Sequence, residues 1–221
     1  MKIKAVLFDV DGTLVDTLPI CLEAFQNTLL KMTGREYPAE EITRHYGVTE
    51  EGIMARLLPD QAGEAVDRYV EEYERLHRLI REPFPGIRPL LDGLHARGIP
   101  MGVVTGKGWR TARITLRLLG LDGFFSIVET GSPYGKIKPE CMLRVVGAFG
   151  AAPQEAVYLG DTIYDMESAA AAGLYAAGAA WDSESELGKN DPDPAKRVFN
   201  LPGDFASWLN ETLECQTVAC A

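Results

Sequence analysis

Apolar residues along this chain fall into two kinds of segment that alternate. Short runs occur at Ile3–Phe8 (IKAVLF), Pro100–Val104 (PMGVV), Ile127–Val128, Ala156–Leu159 (AVYL) and, more weakly, Leu174–Ala180. Runs this short and this apolar read as strands buried on both faces. Between them, Ile87, Leu90, Leu91 and Leu94 keep helical spacing and lead into His95-Ala96-Arg97-Gly98, a cationic last turn with a glycine stop. Leu116 and Leu119 precede a similar stop at Gly120, and Met142, Val145, Val146 and Phe149 precede Gly150. Strands alternating with helices of this length predict βαβ units: an α/β fold with a Rossmann-like parallel sheet and helices on both faces.

From about Thr17 to Glu82 the rhythm changes. Helical stripes are present (Leu18, Leu22, Phe25, Leu29; then Val66, Tyr69, Val70, Tyr73, Leu76, Ile80), but no strand pattern, and Pro83, Pro85 and Gly86 punctuate the exit. The expectation is a small α-helical cap domain over residues 17–83, inserted after the first strand of an α/β core made of residues 1–16 and 84–221. An insert that leaves and re-enters at neighbouring points is well placed to act as a hinged lid. Residues 203–214, with Phe205, Trp208, Leu209 and Leu213, are expected to form a closing helix.

Composition narrows the partners. The chain has 221 residues, 46% of them hydrophobic, with 22 Lys and Arg against 32 Asp and Glu and a net charge of −10. A wholly disordered chain is excluded, and nucleic acid or an anionic membrane surface is not an expected partner, because both need a basic face. A small anionic substrate needs only a few local cations. The N-terminal apolar run is too short for a signal peptide, and the Ala/Gly-rich stretch Ala169–Trp181 falls short of the ~20 residues that span a bilayer. Cys21, Cys141, Cys215 and Cys220 show no metal-ligand spacing and read as free thiols. A cytoplasmic protein, monomer or homodimer, is expected.

The candidate chemistry sits where strands end. The first strand runs into Asp9-Val10-Asp11-Gly12, which places two carboxylates at the carboxyl edge of a buried strand, where parallel sheets bind ligands. Gly12 permits a sharp turn and a close backbone approach. Adjacent carboxylates repel unless they share a cation or a proton, so a hard divalent ion is implied; the plainer alternative is a solvated Asp-Gly turn. A second pair, Asp161 and Asp165, follows the strand AVYL, either as further ligands or as helix caps. Thr105 and Gly106 end the strand before them, offering a hydroxyl and main-chain N–H groups, and Lys138 precedes Pro139 at a helix start.

Together, DVDGTLVD (9–16), VVTG (103–106), GKIKPE (135–140) and GDTIYDMESAAAAG (160–173) resemble, in order and spacing, the four motifs of the haloacid dehalogenase superfamily, with a cap like that of phosphoglycolate phosphatase-like members. The resemblance implies a Mg²⁺-dependent phosphatase acting on a small phosphorylated metabolite through an aspartyl-phosphate. It makes Asp9 the nucleophile and Asp11 the acid–base residue. Mg²⁺ would lie on the Asp9 carboxylate, the Asp11 carbonyl and Asp161, with Asp165 orienting either a metal-bound water or Lys138. Thr105, Gly106 and Lys138 would hold the phosphoryl oxygens, beside Asp9 and Gly12. Lys136 lies two residues from Lys138 and is the other candidate; the following Pro139 favours Lys138.

Other reactions use parts of this set. A dehalogenase lacks the second aspartate of the first motif, so Asp11 argues against one. A β-phosphoglucomutase-like sugar phosphomutase and a pyrophosphatase share all four motifs, whereas a receiver domain is shorter and carries no helical insert. His45, His77 and His95 read as helix-surface or loop residues. Trp109 is a rim or core aromatic, Arg110 and Arg113 form a solvated helix face or attract phosphate, and Arg44, Tyr46, Gly47 and Arg56 are candidates to face the substrate.

Overall fold

The computed structural model describes residues 2–183, 185, 187 and 197–218, with side chains as far as 213. In chain order its elements are β1 (Ala5–Phe8), α1 (Leu18–Thr33), α2 (Ala39–Thr43), α3 (Glu50–Leu57), α4 (Ala62–His77), α5 (Ile87–Ala96), β2 (Met101–Val104), α6 (Trp109–Leu118), β3 (Ile127–Glu129), α7 (Lys138–Ala148), β4 (Ala156–Gly160), α8 (Ile163–Ala171), β5 (Tyr175–Ala179), β6 (Arg197–Phe199) and α9 (Pro202–Val218). Among the described residues the strands form one sheet in the order β3-β2-β1-β4-β5-β6, every pairing parallel. The fold is the α/β architecture that the apolar rhythm predicts. The sixth strand was not expected: it is three residues long, and its Val198-Phe199 pair is too short a run to stand out.

Alternation along β1 shows why the sheet is covered on both sides. Val6 and Phe8 join a core with Ile87, Leu91 and Leu94 of α5 and Phe205 and Leu209 of α9. Ala5 and Leu7 face the other way, into a cluster with Met142, Val145 and Val146 of α7 and Ala169 of α8. On that second face the helix lies very close, since a Cβ at Gly102 would sit 2.7 Å from Val145 Cγ1. Glycine in mid-strand here serves helix-to-sheet contact.

The segment between β1 and β2 builds its own apolar cluster. Phe25 and Leu29 of α1, Ile53 and Met54 of α3, and Tyr69, Tyr73 and Leu76 of α4 are all buried in it, together with Ile114 of α6. The Phe25 and Tyr69 rings lie 4.2 Å apart by centroid. A buried hydrogen bond of 2.7 Å between the Tyr73 hydroxyl and Thr115 Oγ1 fastens α4 to α6.

His77 corrects the sequence reading. It is fully buried rather than on the surface, and its ring meets Tyr73 edge-on at 5.5 Å. Position 77 continues the Tyr69–Tyr73 stripe at i+4, so the helix turns it inward, and burial holds the imidazole below its ordinary pKa. His95 is exposed and His45 half-buried. Cys21 and Cys141 are buried free thiols; the thiols of Cys215 and Cys220 lie outside the described side chains. No helix among the described residues is long and apolar enough to cross a membrane.

Leu91 has no exposed surface and anchors α5 to the sheet. Leu91→Ala is expected to lower unfolding stability by about 2–5 kcal/mol, read as a shift of the urea midpoint with unchanged slope.

Candidate active site

As the chain leaves β1, the Asp9 amide still donates to Leu159 O at 2.9 Å, so the sheet ladder fixes the first aspartate of the turn. Asp9 Oδ1 accepts from the Val10 amide at 2.7 Å, and Oδ2 accepts from Lys138 Nζ at 2.6 Å. Lys138 opens α7 with Pro139 behind it, and its ammonium, 7% exposed, also bonds Asp165 Oδ1. One buried cation thus bridges two carboxylates, one just after β1 and one in the first turn of α8.

The loop after β4 closes around the same point. Thr162 caps α8 by accepting from the Asp165 amide, while Asp165 Oδ2 accepts from the Thr162 amide and hydroxyl, a reciprocal box. The Tyr158 hydroxyl lies 3.2 Å from Asp165 Oδ1. Both Asp165 oxygens are therefore occupied. Thr13 Oγ1 donates to Asp161 Oδ1 at 3.1 Å. At Gly12, with φ +69°, a Cβ would lie 2.2 Å from Asp161 Oδ2, so only glycine lets the two loops meet.

Crowding of like charge sets the electrostatics. Burial pushes Asp9 up to about 6, against the pull of Lys138. Burial, then Asp165 and Asp9, raise Asp161 well above the usual carboxylate range. Burial acts on Asp165 in the same direction, but Lys138 and the Thr162 hydrogen bonds outweigh it and hold the group low. Lys138 is raised, since Asp165 and Asp9 overcome its desolvation. Asp9, Asp161 and Asp165 each offer a carboxylate oxygen, and the three lie within 4.8 Å of one another. Three buried hard-oxygen donors facing one lysine fit a divalent cation.

The Asp11 side chain is not part of that trio. Its Oδ1 accepts from the Thr17 hydroxyl and pairs with Lys107 Nζ at 3.1 Å. Thr105 is held by its amide on Glu129 O at 3.1 Å, and its Oγ1 accepts from the Lys107 amide at 3.3 Å. Gly106 is exposed beside it and backs onto Gly131, where a Cβ would lie 2.4 Å from Gly106 O.

A cavity of ≈ 200 Å³ opens here, lined by Asp9, Asp11, Thr105, Gly106, Lys138 and Asp161. Its far wall comes from the helical segment: Leu18, Cys21, Phe25, Tyr46, Gly47, Val48, Glu50, Ile53 and Tyr69. Asp165 sits behind Lys138 with no exposed surface, and Gly12 lies beneath Asp161 rather than in the lining. Lys136 also lines the cavity, but its ammonium stacks on Tyr164 at 4.2 Å and Lys138 takes the carboxylates. Tyr46 and Gly47 reach the cavity; Arg44 and Arg56 are not among its lining residues. Arg110 pairs with Asp67, and Arg113 stacks on the half-exposed Trp109.

Sequence reasoning missed Lys107 and Glu50. Lys107 stands two residues after Thr105, and a buried cation in the loop already chosen was a readable signal. Glu50, which takes the Gly108 amide at 2.6 Å and the Thr111 hydroxyl, carries none, because its partners are 58 and 61 residues away.

A family model described as haloacid dehalogenase-like hydrolase matches residues 6–179. The pyrophosphatase PpaX of Bacillus pumilus is 33% identical over 195 residues, covering 86% of this chain and 90% of that protein. The phosphoglycolate phosphatase of Aquifex aeolicus is 30% identical over 185 residues, covering 80% and 85%. A solved haloacid dehalogenase-like hydrolase from Streptococcus pneumoniae superposes with a TM-score of 0.72 at 27% identity, covering 94% of this chain and 98% of that one. A match that includes all four strand-end loops in full and carries the same parallel sheet leaves one assignment: the chain belongs to the haloacid dehalogenase-like hydrolase family.

Proposed function

We propose that this chain is a Mg²⁺-dependent phosphatase that hydrolyses a small organic phosphate monoester through an aspartyl-phosphate on Asp9, in the manner of phosphoglycolate phosphatases. The observation that carries the reading is the buried Asp9–Lys138–Asp165 bridge, with Asp161 beside it, at the floor of a cavity that Asp11 also lines. A nucleophile, an acid–base group and phosphate-holding groups converge there from four loops.

In this reading the Asp9 carboxylate attacks phosphorus in line, and the ester P–O bond breaks. Asp11 gives its proton to the departing alkoxide. It then takes a proton from the water that hydrolyses the aspartyl-phosphate, which releases phosphate and restores Asp9. The Thr105 hydroxyl, the Gly106 amide and the Lys138 ammonium hold the phosphoryl oxygens. Lys138 also favours the ionised form of Asp9 against the burial that raises it. Asp9, Asp161 and the main-chain carbonyl of Asp11 would hold Mg²⁺, with Asp165 fixing Lys138 behind them. When bound, the ion supplies the positive charge that offsets the three carboxylates and the phosphoryl group.

Residues 17–83 act as the cap: Leu18, Cys21, Phe25, Ile53 and Tyr69 face the phosphate groups across the cavity and surround the leaving group. That wall is rich in carbon, which favours an organic leaving group. A second reading, hydrolysis of inorganic pyrophosphate, is favoured by the relative at 33% identity.

Phosphate release from a panel holding 2-phosphoglycolate, sugar phosphates, nucleoside monophosphates and inorganic pyrophosphate, with Mg²⁺ or EDTA, tests both. Metal-dependent release from an organic monoester above that from pyrophosphate supports the first reading, and the reverse order supports the second. Conversion of a sugar phosphate to its isomer without phosphate release would overturn both in favour of a mutase.

Asp9→Asn is nearly isosteric and is expected to cut turnover on the order of 10⁴-fold or more while the thermal midpoint stays within a few degrees. Turnover that persists in this variant removes Asp9 from the nucleophile's role.

Mg²⁺ is expected to raise the thermal midpoint of the unmodified protein at pH 7, because it binds a folded cluster of buried carboxylates; at a hundred times its Kd the gain is about 2.7 kcal/mol. In Asp161→Ala the shift should vanish at the same concentration. A shift of equal size in that variant contradicts the ligand assignment.

A further inference from the structure

We propose that Lys107 is a positioning residue for Asp11, and that the helical segment over the site holds it in place. The inference rests on the reading of Asp11 as the acid–base group and extends it to a residue whose ammonium pairs with Asp11 and not with Asp9, Asp161 or Asp165.

Lys107 leaves the loop after β2 but does not turn toward the Asp9 cluster. Its side chain, 3% exposed, runs between Asp11 and the overlying helices. The ammonium lies 3.1 Å from Asp11 Oδ1, 3.2 Å from Cys21 Sγ of α1 and 4.5 Å from the ring centroid of Tyr73 of α4. Those contacts give the buried ammonium one carboxylate, one thiol and one ring as neighbours. Among the described residues Asp11 is the carboxylate that pairs with it within salt-bridge distance. The thiol and the ring are weak acceptors, which satisfy a buried cation without competing for its ion pair.

The main chain on either side is fixed as well. The Lys107 amide donates to Thr105 Oγ1 at 3.3 Å, and its carbonyl accepts from the Gly131 amide at 2.9 Å. One residue on, the Gly108 amide donates to Glu50 Oε2 at 2.6 Å, and Thr111 Oγ1 bonds the other oxygen of the same carboxylate. Glu50 therefore caps the start of α6 from the helical segment. A Cβ at Gly108 would lie 2.5 Å from Glu50 Oε2, so the contact depends on glycine. Helices α1, α3 and α4 each hold this loop, and the loop holds Asp11.

The consequence is geometric. The Thr17 hydroxyl donates to Asp11 Oδ1 and the Lys107 ammonium pairs with the same oxygen, which restrains the carboxylate's rotation and leaves Oδ2 for proton transfer. Without Lys107, the carboxylate rotates about its one remaining tie to Thr17. The loss then falls on the step in which the leaving group must receive a proton.

Leaving-group dependence separates this role from a structural one. Acetyl phosphate expels acetate, which needs no proton, whereas an alkyl phosphate of similar size, such as 2-phosphoglycolate, expels an alkoxide. The ratio kcat/KM reports the steps up to transfer onto Asp9, so the later hydrolysis does not enter. In Lys107→Met, kcat/KM for the alkyl phosphate is expected to fall about 10- to 100-fold and that for acetyl phosphate about threefold. Lys107→Gln, which keeps a donor without the charge, should show the same imbalance at smaller size and serves if the Met variant does not fold.

Asp11→Asn is the reference. If it shows the imbalance and the Lys107 variants lose both substrates equally, or lose neither, the positioning role is overturned while the Asp11 reading stands. If Asp11→Asn itself loses both equally, the acid–base reading fails first, and the inference fails with it.

Discussion

The structure turns on one buried lysine that faces too many carboxylates. Lys138 bonds Asp9 and Asp165 inside the protein, and Asp161 stands within ligand distance of both. A buried ion pair is weak evidence for stability, because desolvation offsets most of its Coulomb gain. Here one ammonium cannot neutralise three acids, and the balance shows in Asp9 and Asp161, which burial raises while Asp165 stays low. The fold maintains this imbalance by force of surrounding structure: a parallel sheet covered on both faces, with the ladder running up to the Asp9 amide. A site held short of positive charge is suited to bind a cation, and then a phosphate whose charge the cation shares.

Most of this was legible before any coordinates. Asp9, Asp11, Thr105, Lys138 and Asp161 could be named because each stands at a strand end or a helix start, and period-2 and period-3.6 patterns locate those ends to within a residue or two. The α/β architecture followed from the same patterns. What stayed hidden shared a different physics. Glu50 acts on Gly108 and Thr111 across the fold, and nothing local to EEGIMARL announces that one of its two glutamates is buried. His77 looked like a surface residue because histidine usually is one, although its spacing from Tyr73 gave the inward direction. The strand at Arg197–Phe199 exists through its pairing with β5 and not through its own composition.

Local chemistry also resolved two choices that spacing left open. Lys136 and Lys138 are both basic and two residues apart, but the helix begins at Lys138, and Pro139 fixes the backbone at its first turn. That start directs Lys138 inward to Asp9, while Lys136 remains in the preceding loop, stacked on Tyr164. Likewise Thr162, not either aspartate, caps α8. This frees Asp161 to face Gly12 and lets Asp165 serve cap and lysine with one oxygen each.

The two aspartates of the first loop thus receive a lysine each. Strand alternation would put Asp9 and Asp11 on one side, but β1 ends at Phe8, before either of them, and the two take different partners. Asp9 meets Lys138 from α7, and Asp11 meets Lys107 from the loop after β2. In the proposed reaction the two carboxylates must behave oppositely, one as an ionised nucleophile and the other as a carrier of a proton. Separate cations let each carboxylate be positioned without disturbing the other. Lysine suits both positions better than arginine would. Its charge is compact, and here it meets a carboxylate together with a ring or a second acid, whereas a planar guanidinium prefers a bidentate partner. The helical segment reaches the second lysine through Cys21 and Tyr73. The Asp9–Lys138 bridge rests instead on the start of α7 and the end of β1.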